Sequence, residues 1–101
     1  MIIKREKLFL RNKNLEKNPA NQRQSPFYKK VRDKIKLMNK IVNPLITLKE
    51  GDMYKIVSGN NRFLAGLELG YTEFPIKVIQ GETPQDIRKA MEDYIPIDLN
   101  D

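Results

Sequence analysis

Residues 57–71, VSGNNRFLAGLELGY, decide how this chain is read. An apolar run, Tyr54-Lys55-Ile56-Val57, enters the small pair Ser58-Gly59, and a helical pattern begins at once with Asn60, Asn61 and Arg62. Phe63, Leu64 and Leu67 fall on one side of that helix, with Ala65 and Leu69 nearby. Gly70 suits the left-handed position just past a helix end. Gly66 inside the helix costs about 1 kcal/mol relative to alanine, which predicts close packing against a sheet. A strand passed into a helix through a small turn aims backbone N–H groups at one point. Such a point favours an anion, most often a phosphate. Ser58, Gly59, Asn60, Asn61 and Arg62 are therefore the candidate ligand residues, with the Arg62 guanidinium expected to supply a fork of donors. A plainer reading competes: a tight turn, an N-cap Asn60, a polar Asn61 and a surface Arg62 paired with Glu68 or an acid elsewhere.

Working outward, Leu45–Leu48 and Met53–Val57 read as two strands of a hairpin, with Lys49-Glu50-Gly51-Asp52 as the turn and Gly51 free to take positive φ. Phe74–Ile79 is a further strand, and Pro75 near its start is tolerable there. Thr83-Pro84-Gln85-Asp86 carries the signature of a helix start: a capping threonine, a proline and an acid. Ile87, Ala90, Met91 and Tyr94 form the apolar stripe of that helix. The acidic end, 96–101, is expected to be a short tail beyond a single domain spanning 1–95.

On the N-terminal side, Ser25-Pro26 opens a helix. Phe27, Val31, Ile35 and Met38 recur at helical spacing and predict its buried stripe. Lys29, Lys30, Lys34 and Lys36 crowd the remaining surface. Asn43-Pro44 closes the pattern. The stretch from Arg11 to Pro26 is rich in Asn and Pro and reads as an extended loop. Of the apolar pieces Ile2-Ile3 and Leu8-Phe9-Leu10, one is expected to form the first strand. The alternation of elements predicts a small α/β or α+β sandwich.

Composition narrows the chemistry. The chain has 101 residues and no cysteine or histidine. Disulfides, thiolate metal sites and a cysteine nucleophile are excluded, as is an imidazole base. Acid–base work would fall to Asp, Glu, Lys or Tyr. No apolar run reaches the roughly 20 residues needed to span a bilayer, and the N-terminus breaks its apolar pairs with charge, unlike a signal peptide. No membrane partner and a cytoplasmic location are expected. The net charge of +6 is uneven: residues 1–50 hold 14 Lys and Arg against 4 Asp and Glu, residues 51–101 hold 5 against 9. A basic half suits a polyanion such as nucleic acid, which Lys29, Lys30, Lys34 and Lys36 would grip by its backbone without reading sequence. The same lysines also suit a merely solvated helix face.

Four segments, in order, resemble the ParB/sulfiredoxin superfamily. Asn18-Pro19-Ala20-Asn21-Gln22-Arg23 is similar to its proline- and arginine-bearing loop, and Asn43-Pro44-Leu45 to the start of its hairpin strand. Gly59-Asn60-Asn61-Arg62 with Ala65 is similar to its Gly-x-x-Arg box. Gly70-Tyr71 with Phe74–Val78 is similar to its following strand. The resemblance implies an α+β fold, a small mixed β-sheet flanked by about three helices. It implies a box at a helix N-terminus that holds the phosphates of a nucleotide, CTP or ATP with Mg, and an Arg23 loop folded over that pocket. It also implies DNA association, membership among small phage or plasmid proteins, and a homodimer or a nuclease, NTPase or phosphotransferase as open readings.

The departures are as informative. The catalytic cysteine of sulfiredoxin aligns with Asn60, which excludes sulfinic-acid repair. The Glu-Arg pair of partition proteins aligns with Asn60-Asn61, which removes one acid and one cation from a CTP site. For catalysis the neighbourhood offers only Glu50, Asp52, Glu68 and Glu73, and no catalytic residue is assigned. Glu68 follows Arg62 by roughly 600° of helix rotation, so the two are not expected in one site.

Overall fold

A computed structural model describes residues 1–95, and the tail expected over 96–101 lies outside them. Both short apolar pieces at the N-terminus are strands. β1 (Ile2–Lys4) and β2 (Leu8–Leu10) are separated by one 3-10 turn, Arg5–Lys7. The stretch expected to be an extended loop holds two short helices instead, α1 (Lys13–Lys17) and α2 (Ala20–Arg23). Local side chains make the difference for α1: Asn12 Oδ1 accepts from Leu15 N at 3.1 Å, and Glu16 Oε2 accepts from Leu10 N at 3.1 Å. Asparagine at a cap stabilises a turn of helix that its propensity alone would not.

α3 (Pro26–Met38) starts on Ser25, whose Oγ accepts from Phe27 N. It ends earlier than Asn43-Pro44, at Asn39, which takes the left-handed conformation with φ 58°. Its buried residues are Tyr28, Val31 and Ile35. The stripe is thus turned from the expected one, with Phe27 half-buried and Met38 exposed. Tyr28 takes the inward place because its phenol finds an acceptor on the neighbouring helix.

β3 (Leu45–Glu50) and β4 (Met53–Ser58) form the expected antiparallel hairpin, and Gly51 turns it with φ 64°. α4 (Asn60–Glu68), β5 (Glu73–Val78) and α5 (Pro84–Ala90) follow. The five strands make one mixed sheet in the order β1-β5-β3-β4-β2. β2 runs parallel to β4, β5 runs parallel to β3, and β1 is antiparallel to β5. The class is α+β, as expected, with α3, α4 and α5 as its longer helices.

Helices cover both sheet faces. The larger core packs α3 and α4 on the sheet through Tyr28, Val31, Ile35, Phe63, Leu64, Leu45, Ile56, Phe74 and Ile76. Gly66 lies against the Phe74 ring, where a Cβ would overlap the ring edge. Phe74 in turn packs tilted against Phe63, with centroids 5.2 Å apart and ring planes at 52°. The smaller core seals the opposite face with Ile46, Val57 and Tyr94, joined by Ile87, Ala90 and Met91 from the α5 region. α5 has the full capping box of Thr83 and Asp86, but it stops at Ala90, so Tyr94 packs from the segment after the helix.

Candidate functional site: the β4–α4 junction

Gly59 is the N-cap of α4, with φ 111° and no side chain to cap the helix. A non-glycine residue is strained there. A Cβ would also meet Leu45 Cδ2 at 2.8 Å and Arg62 Nη2 at 3.1 Å. The first bond of the helix ladder is Phe63 N to Gly59 O, 2.9 Å. The amides of residues 60–62 therefore head the helix at its positive end. Asn60 is the one half-exposed residue of the 58–62 turn; Ser58, Gly59, Asn61 and Arg62 are buried.

Arg62 is placed differently from either sequence reading. Its side chain is 0% exposed. Nη1 donates to the carbonyls of Asn43 at 3.0 Å and Pro44 at 2.6 Å. Its Cζ lies 5.4 Å from the centre of the Tyr94 ring. The fork points into the β3 entrance, not outward from the helix end, and it makes no surface pair with Glu68. Three residues into the helix, a side chain leans back along the axis toward the N-terminus. That direction carries the guanidinium beneath Gly59 and into the segment Asn43-Pro44.

The surroundings fix that segment. Tyr94 Oη donates to the same Pro44 carbonyl at 2.5 Å. Asn43 trades two bonds with Ile95, Nδ2 to the Ile95 carbonyl and Ile95 N to Asn43 Oδ1, both 3.1 Å. Ser58 Oγ lies 3.7 Å from Met91 Sδ. Lys77 Nζ donates to the Ala90 carbonyl and to Asp93 Oδ1, each at 2.8 Å, and holds the Asp93 carboxyl below its ordinary pKa.

α2 crosses over α4. Gln22 Nε2 donates to Asn61 Oδ1 at 2.6 Å. Arg23 lies one residue on, but turns away from the turn of residues 58–62: Nη2 donates to the Leu64 carbonyl at 3.2 Å and Nε faces Glu68 Oε1 at 3.7 Å. Glu68 also accepts from Tyr28 Oη at 2.6 Å and faces Arg32 Nη1 at 3.6 Å. Burial first, and then the Glu68 bond, push the Tyr28 phenol up to about 12.

Arg11 is a residue that sequence reasoning missed. It follows β2, beside the end of β4, and donates N to the Ile56 carbonyl at 3.2 Å and Nη2 to the Val57 carbonyl at 3.4 Å. Its side chain is exposed at the carboxyl ends of the parallel pair β2/β4, the usual side for ligands of parallel strands. An arginine closing an apolar triplet, Leu8-Phe9-Leu10, is the signal the sequence offers. It acquires meaning only once β2 is paired with β4.

The remaining candidates are scattered. Lys29, Lys30 and Lys36 are exposed along α3 and Lys34 is half-buried. Glu50 pairs with Lys55 at 2.9 Å, and Asp52 lies 3.9 Å from Lys7. Among the described residues no cluster of three acidic side chains is placed to hold a metal ion, and no helix is long and apolar enough to cross a membrane.

The architecture is the sulfiredoxin/ParB-like fold. The chain superposes on sulfiredoxin from Arabidopsis thaliana with a TM-score of 0.61, covering 91% of this chain and 98% of that one at 22% identity. No protein-family model matches the chain, and no curated protein matches it in sequence.

Proposed function

We propose that the β4–α4 junction binds a phosphate group at the positive end of α4, carried by a nucleotide such as CTP or ATP with Mg, or by a nucleic-acid backbone. The carrying observation is Gly59: a left-handed N-cap without a side-chain acceptor, heading a helix of nine residues. The ligand contacts are the amides of Gly59, Asn60 and Asn61, the Asn60 side chain and Arg11. Arg62 serves from beneath, by fixing Asn43-Pro44 under the turn. Ser58 and Asn61 shape the wall. Arg23 acts on α2 and not on the phosphate. The exposed lysines of α3 support a wider anionic footprint, which favours DNA association.

Titration calorimetry with inorganic phosphate, CTP, ATP and duplex DNA tests the reading, run on the parent and on Asn60→Asp. A carboxylate at a helix start is compatible with folding but repels an incoming phosphate. Binding of at least one of these ligands, weakened in Asn60→Asp, supports the proposal. No binding of any of them removes it. Plasmid and nucleotide turnover with Mg²⁺ in the same preparations decides between a binding module and a nuclease or phosphotransferase.

A further inference from the structure

α2 has no buried residue, and its side chains hold α4 through polar contacts. Gln22 reaches Asn61 in the first turn of α4, and Arg23 reaches Leu64 and Glu68 further along. Glu68 is also bonded to Tyr28 and faces Arg32, both on α3. α3 packs on α4 through buried Val31 and Ile35 in any case. Among the described contacts of Glu68, Arg23 is the one that ties down α2. At 3.7 Å the pair is too long for a hydrogen bond, and Arg23 Nε is buried without another hydrogen-bond partner among the described residues, so the latch is poised to open rather than locked. Pro19 before α2 and Ser25-Pro26 after it confine the bending to the two ends of a short, stiff segment.

We infer that residues 19–24 form a lid over the first turn of α4, closed by Gln22 on Asn61 and latched by Arg23 on Glu68. The role of the lid rests on the ligand site proposed above; the latch itself does not. Releasing Arg23 frees α2 to lift, which withdraws Gln22 from Asn61 and opens the helix end to an anion.

The absence of cysteine makes the test clean. A nitroxide on Asn21→Cys, at an exposed position of α2, reports lid mobility, and a second on Lys30→Cys, on the exposed side of α3, is the control. Glu68→Gln retains an acceptor for Tyr28 while removing the charge that attracts Arg23. The mobile fraction at position 21 is expected to rise several-fold in Glu68→Gln and in Arg23→Gln, with position 30 unchanged. No change at 21, or an equal change at 30, overturns the latch. Should Glu68→Gln not fold, Arg23→Gln alone decides the matter by the same two criteria. Calorimetry with inorganic phosphate and CTP is read separately. Mobility gained without any binding removes the site and leaves the latch, and binding with mobility indifferent to Glu68 removes the latch and leaves the site.

Discussion

Arg62 and Tyr94 converge on one acceptor, the Pro44 carbonyl, at 2.6 and 2.5 Å. The arginine comes from α4 and the tyrosine from the segment after α5, so a single peptide oxygen at the entrance to β3 ties together parts of the chain on opposite faces of the sheet. A buried guanidinium is costly unless its donors are used. Here that cost is offset by carbonyls of the segment it positions. Arg62 is thereby a structural residue of the β4–α4 junction.

Loss of that arrangement should be felt in stability before it is felt in binding. Arg62→Ala is expected to cost on the order of 3 kcal/mol, because it strips buried carbonyls of a charged donor. Tyr94→Phe should cost about 1 kcal/mol, the worth of one hydrogen bond. Urea unfolding of both variants measures the two costs. An Arg62→Ala protein as stable as its parent would mean that Arg62 does not hold this corner together.

Gly66 is set by the sheet beneath it. Alanine would gain about 1 kcal/mol of helix propensity, yet its Cβ would overlap the Phe74 ring. Overpacking costs about 1–3 kcal/mol, so Gly66→Ala is expected to lower the melting temperature. A rise would show that α4 can move away from β5 freely.

Tyr28 links stability to alkaline pH. Its phenol titrates near 12 in the folded chain, against 10.0 when unperturbed, because burial and then Glu68 oppose ionisation. Between those values the unfolded chain releases the proton and the folded chain keeps it. The contribution is therefore whole below pH 10 and is lost as pH rises toward 12. It is on the order of 3 kcal/mol. Unfolding of Tyr28→Phe across the same range should show a shallower decline than the parent, since lysine titration is common to both.

Arg11 separates ligand contact from fold. Its exposed side chain can be replaced with little expected effect on stability, within about 0.5 kcal/mol. Arg11→Ala should nevertheless weaken phosphate or nucleotide binding several-fold, as expected for loss of one charge-assisted contact. Equal affinity in the two proteins would take Arg11 out of the site.

Much of the fold was legible because its signals are local. The hairpin turn at Gly51, the Gly59 junction, the Ser25 and Thr83 caps and the tight seat of Gly66 each follow from one residue's stereochemistry or size. The ordering of the same segments carried the resemblance and hence the sheet. What escaped depends on tertiary partners. Tyr28 replaced Phe27 in the core because Glu68 awaits its hydroxyl. Arg62 turned inward because Asn43 and Pro44 present carbonyls from far along the chain. Arg11 came to lie beside the end of β4 only through the pairing of β2 with β4. The helices α1 and α2 were hidden by a composition that suits loops and caps equally.

The proposed phosphate site is tested most directly by amide chemical shifts of the 15N-labelled protein during titration with inorganic phosphate and then CTP. Saturable shifts are expected at Gly59, Asn60 and Asn61, together with the side-chain Nε–H of Arg11, and are expected to be lost in Asn60→Asp. Shifts confined to the lysines of α3, or none in the turn from Ser58 to Arg62, would contradict it.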